Sequence, residues 1–213
     1  MNAPGSRQNK VRHPTPTPSF KTHIKVTAQH STVSALYHLL NSLESTQKRT
    51  PSDILPAAIL MAFSIESYIN NIGASHIEIW DQLERLPWKN KLAILHKERK
   101  RIPEWQHYPL QFATEIFRLR DRLAHGKAEL IEGPSFASRQ EAIDFAQDGN
   151  VEPEWISKID ETWLREARRR FDELMEYLSL LFGSSPTSYF QTSTVHISGP
   201  HAVTNKHASE ETQ

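Results

Sequence analysis

The sequence predicts an all-α protein, an antiparallel helical bundle with a disordered tail at each end. Apolar residues recur at three- and four-residue spacing in several long segments, which is the period of an amphipathic helix. No core segment alternates apolar and polar residues as a half-buried strand does. The two ends are rich in Pro, Ser, Thr or His and poor in apolar residues, which is typical of disorder.

The first two helices are predicted from start signals and apolar content. Ser31 or Thr32 can cap a first helix, because a hydroxyl accepts a hydrogen bond from the free N–H groups of the first turn. Thr50-Pro51-Ser52-Asp53 is a start signal for the second. That helix is apolar nearly all round over 54–65, which predicts a central, buried element, and we expect it to end at Gly73.

The remaining helices are bounded by prolines and glycines. Pro109 and Pro153 suit the first turn of a helix, and Gly126 and Gly183 suit the residue that follows one. Pro87 separates two shorter helices. We expect these helices over about 77–86, 88–100, 109–126 and 153–183, with a helical turn at about 137–146.

The predicted domain organisation is a basic, disordered tail over 1–28, a helical domain over 29–183 and a disordered polar tail over 184–213. A transit peptide is the alternative for the first tail, but its three prolines would break an amphipathic helix. The alternative for the last tail is a short strand or a docking peptide formed by Tyr189, Phe190, Val195 and Ile197.

Composition excludes several classes of site. The chain of 213 residues suffices for one well-cored domain. It has no cysteine, which removes disulfides, thiolate nucleophiles and cysteine-bound zinc, and its formal net charge is zero, so affinity for nucleic acid requires local patches. The most apolar stretch, 54–65, is shorter than the roughly 20 residues of a membrane span. We expect a cytoplasmic protein without a membrane partner, a cofactor or a metal site.

The segment from Phe117 to Lys127 is the most informative in the chain. It contains Arg120, the polar residue Asp121, three more residues and His125, followed by a helix-stopping glycine. A structural explanation suffices for such a short pattern, because basic residues near a helix C-terminus are favoured by the dipole and Asp121 is four residues from His125.

The same residues also suit metal-independent RNA cleavage. One group must take the proton of the 2′-hydroxyl and another must protonate the leaving 5′-oxygen, and histidine can do either. Arginine offers forked donors that stabilise the charge of a phosphorane-like transition state. Five helical residues turn about 140°, so Arg120 and His125 do not stack on one face. A symmetric second copy would bring a further Arg120 and His125 to the same groove.

Glu66 is the second notable residue, because it follows a strongly apolar stretch of the second helix. A carboxylate there is costly to bury unless it is paired, and Arg120 and Arg122 are the candidate partners. Glu66 would then orient Arg120. The alternative is a purely structural pairing or exposure to solvent.

Several motifs together resemble the HEPN family, over about residues 30 to 183. The pattern at Arg120–His125 is that family's R-polar-x-x-x-H motif, and Ser64, Glu66 and Asn70 match the second long helix of its uncharacterised bacterial members. Trp88-Lys89-Asn90-Lys91-Leu92 and His125-Gly126-Lys127 are also similar. Asp121 departs from the asparagine that is familiar in the family and puts a negative charge near a phosphate site.

The resemblance implies a HEPN-like bundle that dimerises through the motif helix and cleaves RNA without metal, leaving a 2′,3′-cyclic phosphate. It implies His125 as general acid or base, Arg120 as phosphate binder and Asp121 as the residue that orients His125, supported by Glu66 and Asn70. A defence or toxin–antitoxin context, with tRNA or mRNA as target and an antitoxin as partner, is implied likewise. The alternative is a non-catalytic HEPN module for dimerisation, RNA binding or partner binding.

Basic residues other than Arg120, both around the motif and in an earlier basic run, are the candidates for RNA contact. Their alternative is an ordinary solvated helix face. We expect the tryptophans to fill core or interface positions rather than to stack bases. The eleven histidines show no paired spacing typical of metal ligands. The candidate RNA-binding residues are Lys97, Arg99, Lys100, Arg101, Arg122 and Lys127, with Lys89 and Lys91 in the same basic run.

Overall fold

The computed structural model describes residues 21–147, 152–190 and 193–198. The chain is mostly helical, as predicted, and it divides into two units. Among the described residues, 26–147 and 152–190 belong to the helical unit, and 21–25 with 193–198 belong to the other. The antiparallel order of the bundle and its likeness to HEPN proteins stay predictions.

The helical unit contains eight α-helices within its described residues. They are followed by a short 3₁₀ turn, Ser188–Phe190. The helices are α1 (Ala28–Glu44), α2 (Pro51–His76), α3 (Trp80–Leu83), α4 (Trp88–Glu98), α5 (Leu110–Ala124), α6 (Arg139–Gln147), α7 (Glu154–Ser157) and α8 (Glu161–Leu181).

Helix α2 is the central element, as its apolar sequence predicted, and α1, α4, α5 and α8 all pack on it. Its start at Pro51 is fixed by a capping box. The Asp53 carboxylate accepts hydrogen bonds from the Thr50 N–H (2.8 Å) and from the Thr50 hydroxyl (2.7 Å). The buried residues of α2, including Ala57, Met61 and Ile65, lie on one half of its circumference, and Phe63 on the opposite side is exposed. The core therefore covers a wide face of this helix, but the sequence is apolar beyond that face.

The structure corrects three predicted helix ends. α1 begins at Ala28, before the predicted caps, because the chain enters it in extended conformation at Thr27. α2 continues past Gly73 to His76. The predicted last helix is two helices, because the Asp160 carboxylate accepts a hydrogen bond from the Trp163 N–H (2.7 Å) and caps a new helix start.

Gly73 is needed for packing rather than for helix termination. A Cβ built on Gly73 would lie 2.0 Å from Cε2 of Trp80, whose side chain is buried. The glycine thus lets the indole of α3 pack directly on the backbone of α2. The prediction that α2 ends at Gly73 is therefore wrong, because this glycine permits a close approach and is not a C-terminal cap.

The helical unit also extends beyond residue 183, where the sequence placed its end. The Gln29 side-chain amide donates to the backbone carbonyl of Tyr189 (2.7 Å) and is itself buried. The Tyr68 hydroxyl is hydrogen-bonded to Ser179 and to Ser188 (2.7 and 2.8 Å). These contacts hold the chain after α8 against α1 and α2, so 184–190 is part of the fold and not a disordered tail.

The chain also contains two strands, β1 (Lys21–Val26) and β2 (Ser193–Ser198), paired in one sheet. The second unit includes β2 and all of β1 except its last residue. The disordered tails predicted over 1–28 and 184–213 are therefore wrong for these residues. The alternative strand at Val195 and Ile197 lies within β2, whereas Tyr189 and Phe190 lie in the 3₁₀ turn. The rest of both predicted tails lies outside the described residues.

Helix α2 is the one described helix that is long and apolar enough to cross a membrane by length and composition. Its mean hydropathy reaches 1.3 over the most apolar window, which is longer than the 54–65 stretch considered above. Half of that window is buried inside the protein. Core helices of globular proteins have the same character, so α2 does not mark the chain as a membrane protein.

His96 links α4 to α8 through a buried hydrogen-bonded pair. Its Nδ1 lies 2.7 Å from the Leu92 carbonyl and its Nε2 lies 2.8 Å from the Tyr177 hydroxyl. A neutral ring satisfies both, because Nδ1–H donates to the carbonyl and Nε2 accepts from the tyrosine. Burial lowers the pKa of His96 below its usual range, and the positive charge of Arg101 adds to this, against the opposing effect of the Leu92 hydrogen bond.

We expect His96 to make the fold less stable in mild acid. Below pH of about 6.5 the unfolded chain protonates this residue while the folded ring stays neutral. The unfolded state then binds more protons than the folded state. The free energy of unfolding therefore decreases as the pH is lowered, by up to about 1.4 kcal/mol per pH unit, until the pH reaches the pKa of His96 in the folded protein. Urea unfolding from pH 7.5 to 5 measures this slope.

In His96→Phe the free energy of unfolding should depend less on pH between 7.5 and 5. We expect this variant to be less stable than wild type at neutral pH, because the hydrogen bonds of His96 are lost. His38→Gln is the matched control, because His38 is exposed. An unchanged slope in His96→Phe would contradict the assignment.

Candidate functional site

The predicted motif lies at the C-terminal end of α5. Phe112, Ala113, Ile116 and Phe117 are buried and hold this helix on the core. The helix ends at Ala124, and the His125 N–H donates to the Asp121 carbonyl (2.9 Å) as the last bond of the helix. The packing therefore fixes the backbone of the motif while its polar residues reach the surface.

Arg120 lies between two carboxylates. Its Nη2 is 3.9 Å from Glu66 Oε2, and its Nε is 3.2 Å from Asp121 Oδ1. The Nε geometry does not form a hydrogen bond, so this buried atom has no hydrogen-bond partner among the described residues. The guanidinium also lies 5.3 Å from the ring centre of Phe117. A quarter of the side chain remains exposed.

The predicted pairing of Glu66 with Arg120 is present, but Lys91 is the closer partner. Lys91 Nζ lies 2.8 Å from Glu66 Oε1. It also donates to the Asn70 side-chain oxygen and to the Glu84 carbonyl, both at 3.1 Å. Glu66 thus bridges Lys91 and Arg120, and Asn70 belongs to the same group. We call Lys91, Glu66, Asn70, Arg120 and Asp121 the Arg120 cluster.

Lys91 corrects the predicted basic patch. Its side chain is only 1 % exposed, so it does not belong to a solvated stripe with Lys89. An ammonium in such a place needs a counter-charge, and Glu66 supplies it. The sequence indicates the burial of Lys91, because helical spacing puts it on the same face of α4 as Leu92, Leu95 and His96, which are buried.

Asp121 does not orient the His125 ring, in contrast to the expectation. The Asp121 carboxylate faces Arg120, and it is the Asp121 backbone that contacts the His125 backbone. His125 is exposed, and its ring has no hydrogen-bond or ion-pair partner among the described residues. The predicted side-chain pair across one turn is therefore replaced by a free imidazole at the helix end.

Within one chain, Arg120 and His125 belong to different sides of α5. Arg120 faces α2, where Glu66 and Asn70 lie, whereas His125 follows the last helical residue on the solvent side. The turn of about 140° over five residues accounts for this separation. A site that uses both side chains at once requires movement of Arg120 or a second copy of the chain.

Three further cations surround the motif. Arg118 and Lys127 are exposed and have no ion-pair partner among the described residues. Arg122 lies 3.6 Å from Glu129 and 5.2 Å from the ring centre of Trp155. The Arg120 cluster is formally neutral, with two basic and two acidic side chains. Because Arg122 is paired with Glu129, Arg118 and Lys127 are the uncompensated cations that flank the motif among the described residues.

The other predicted RNA-binding residues, Lys97, Arg99, Lys100 and Arg101, are exposed at the C-terminal end of α4. Lys91, which contacts Glu66, lies instead in the first turns of that helix. Arg99 is partly engaged, because its Nε donates to the Leu181 carbonyl (3.0 Å). No described contact joins this group to the Arg120 cluster.

Two tryptophans lie beside the motif helix. The Trp88 ring is stacked on Phe117, with ring centres 4.3 Å apart, and Trp105 meets Trp88 edge-on at 5.9 Å. Both are half-buried rather than core residues. Within the described residues, no group of three or more His, Asp or Glu side chains is placed to hold a metal ion.

The Arg120 cluster and the free His125 ring are thus the main polar features of the described structure around α5. Comparison with protein-family models, with curated proteins and with solved structures found no match to this chain.

Proposed function

We propose that the protein is a metal-independent endoribonuclease of the HEPN type. The observation that carries the proposal is the His125 imidazole, which has no partner among the described residues. The packed end of α5 holds the backbone of His125, and two unpaired cations, Arg118 and Lys127, flank it. An exposed histidine without an internal partner is available for proton transfer. Arg118 and Lys127 supply positive charge for the phosphate backbone at the same end of α5.

The proposed reaction starts with attack of the 2′-oxygen on the adjacent phosphorus. His125 takes the 2′-hydroxyl proton or gives a proton to the leaving 5′-oxygen. Arg120 stabilises the added negative charge on the phosphate oxygens. The O–P bond to the 5′-oxygen breaks as the 2′-oxygen bond forms, and the products are a 2′,3′-cyclic phosphate and a 5′-hydroxyl.

A homodimer is part of the proposal. In one chain, Arg120 is shared by Glu66 and Asp121, and no described contact joins it to His125. Two copies joined near the ends of α5 would supply two of each residue around one groove. The Glu66 contact keeps the Arg120 guanidinium at the edge of the core, where the exposed quarter of the side chain can reach a phosphate.

The test is cleavage of total RNA and tRNA in excess EDTA. We expect wild type to cleave RNA. The cleavage rate of His125→Ala and of Arg120→Ala should be lower by about 100-fold or more, as is usual when an acid–base or transition-state group is removed. Arg165→Gln is the matched control, because Arg165 is exposed on α8. A folded wild-type protein that does not cut, or equal cutting by every variant, would contradict the proposal.

The second candidate is a non-catalytic RNA-binding or partner-binding module. The observation that favours it is the neutralisation of Arg120 by two carboxylates, which reduces its attraction for phosphate. In that case RNA or a partner would still bind, and His125→Ala would alter binding without any cleavage to lose. The same preparations distinguish the two functions by a gel-shift assay run beside the cleavage assay. A cytoplasmic role in defence, with an antitoxin, would accompany the nuclease.

A further inference from the structure

The solvent side of α5 carries a polar stripe that leads to His125. The members recur at alternating spacings of three and four residues, so helical geometry places them on one side of the helix. Arg120 is outside this series, on the side that faces α2. The stripe consists of Gln111, Thr114, Arg118, Asp121 and His125.

Two adjoining surface cavities lie between this stripe and the start of α4. Their volumes are about 280 and 320 Å³, and Lys89, Thr114 and Arg118 line both. One cavity reaches Trp105 and the other reaches Asp121. Together they form a continuous depression, which we call the α5 groove, and its Asp121 end is one helical turn from His125.

The groove is positive although it contains acidic residues. The Glu115 carboxylate accepts a hydrogen bond from Arg170 (2.7 Å), and Asp121 faces Arg120. Both acids thus have basic partners outside the groove. Lys89 and Arg118 have no carboxylate partner among the described residues. The two cations are consequently the uncompensated charges of the groove.

Aromatic rings lie next to these cations. Lys89 Nζ is 5.7 Å from the ring centre of Trp88 and 5.4 Å from that of Trp105. The Trp88 ring is stacked on Phe117 and so is held in place from behind. Trp105 lines the groove and is only partly buried. A cation beside a tryptophan at an open surface matches the chemistry of a phosphate and its base.

We propose that the α5 groove binds single-stranded RNA that extends from the His125 site. Lys89 and Arg118 contact phosphates, and Trp105 stacks a base. Stacking needs an unpaired strand, because bases in a duplex are already stacked on one another. The identity of the ligand rests on the proposed RNA function, whereas binding in the groove does not require cleavage.

The experiment measures binding of a fluorescein-labelled oligoadenylate of about eight nucleotides by anisotropy. The full chain is used with His125→Ala, so that the probe stays intact. Lys89→Gln with Arg118→Gln should weaken binding tenfold or more, and should lower the slope of log affinity against log salt by about 1.4, since two phosphate contacts are lost. Trp105→Ala should weaken binding about fivefold or more, and Trp105→Phe should retain most of it.

Lys48→Gln with Arg165→Gln is the matched control, because it removes the same two charges at exposed positions that do not line the groove. An equal loss in this control would overturn the groove, since only the overall charge would matter. Equal competition by poly-glutamate would also overturn it in favour of an acidic protein ligand.

RNA binding in the α5 groove and nuclease activity can be contradicted independently of each other. Selective loss of binding in the groove variants without any cleavage by wild type would support the groove and contradict the nuclease. Cleavage by wild type with undiminished binding in the groove variants would contradict the groove alone.

Discussion

Glu66→Ala is expected to lower the free energy of unfolding by about 3 kcal/mol, because it leaves a buried ammonium without its counter-charge. Lys91 is 1 % exposed and its closest contact is the Glu66 carboxylate at 2.8 Å. Two neutral oxygens, from Asn70 and Glu84, would remain as acceptors. Because Glu66 itself is 31 % exposed, we expect the lower part of the range for broken buried pairs, which is about 3–5 kcal/mol.

The origin of this loss can be separated from general damage by a second substitution. Lys91→Met fills nearly the same volume without a charge, so Glu66→Ala with Lys91→Met should recover much of the lost stability. Urea unfolding followed by tryptophan fluorescence measures all four proteins of the cycle. Glu44→Ala, which removes an exposed pair with Arg168, should cost less than about 1 kcal/mol. Additive losses in the double variant would show that the two side chains are independent.

Gly73→Ala is expected to destabilise the protein by about 2–4 kcal/mol, although alanine is the better helix former by about 1 kcal/mol. The added Cβ would lie 2.0 Å from Trp80 Cε2, so the buried indole has to move out of its place. The expected size combines the cost of overpacking with partial loss of the tryptophan's burial. The thermal or urea midpoint of the purified variant measures it.

Trp80→Leu supplies the control for that clash. In its background the glycine no longer faces an indole, so Gly73→Ala should become nearly neutral or stabilising. Ala74→Gly, at an exposed position of the same helix, should cost only about 1 kcal/mol through helix propensity. An equal penalty for Gly73→Ala with and without Trp80 would contradict the packing explanation.

The helices were predictable because their signals are local. The Thr50–Asp53 capping box and the apolar run of α2 are contained in neighbouring residues, and the structure has the helix there. The extension of α2 past Gly73 was not predictable, because Trp80 comes from another helix. The extension of the helical unit beyond 183 depends likewise on Gln29 and Tyr68, which lie far away in sequence.

The candidate site follows the same division. The Glu66–Arg120 pairing was inferred from the cost of an unpaired carboxylate in an apolar helix, and the two groups lie 3.9 Å apart. The role of Lys91 was missed because its charged neighbours suggested a solvated run, whereas its place on the apolar face of α4 indicates burial. The side-chain directions of Asp121 and His125 depend on individual rotamers, which periodicity does not specify.

The hydrogen bond from Gln29 to the Tyr189 carbonyl also has a consequence for protein engineering. It holds the beginning and the end of the helical unit side by side. A folded unit whose chain enters and leaves at one place can be inserted into a surface loop of a host protein with little change in the path of the host's chain. It is equally suited to circular permutation, in which a short linker joins the neighbouring ends and new termini are opened in the exposed connection between α5 and α6.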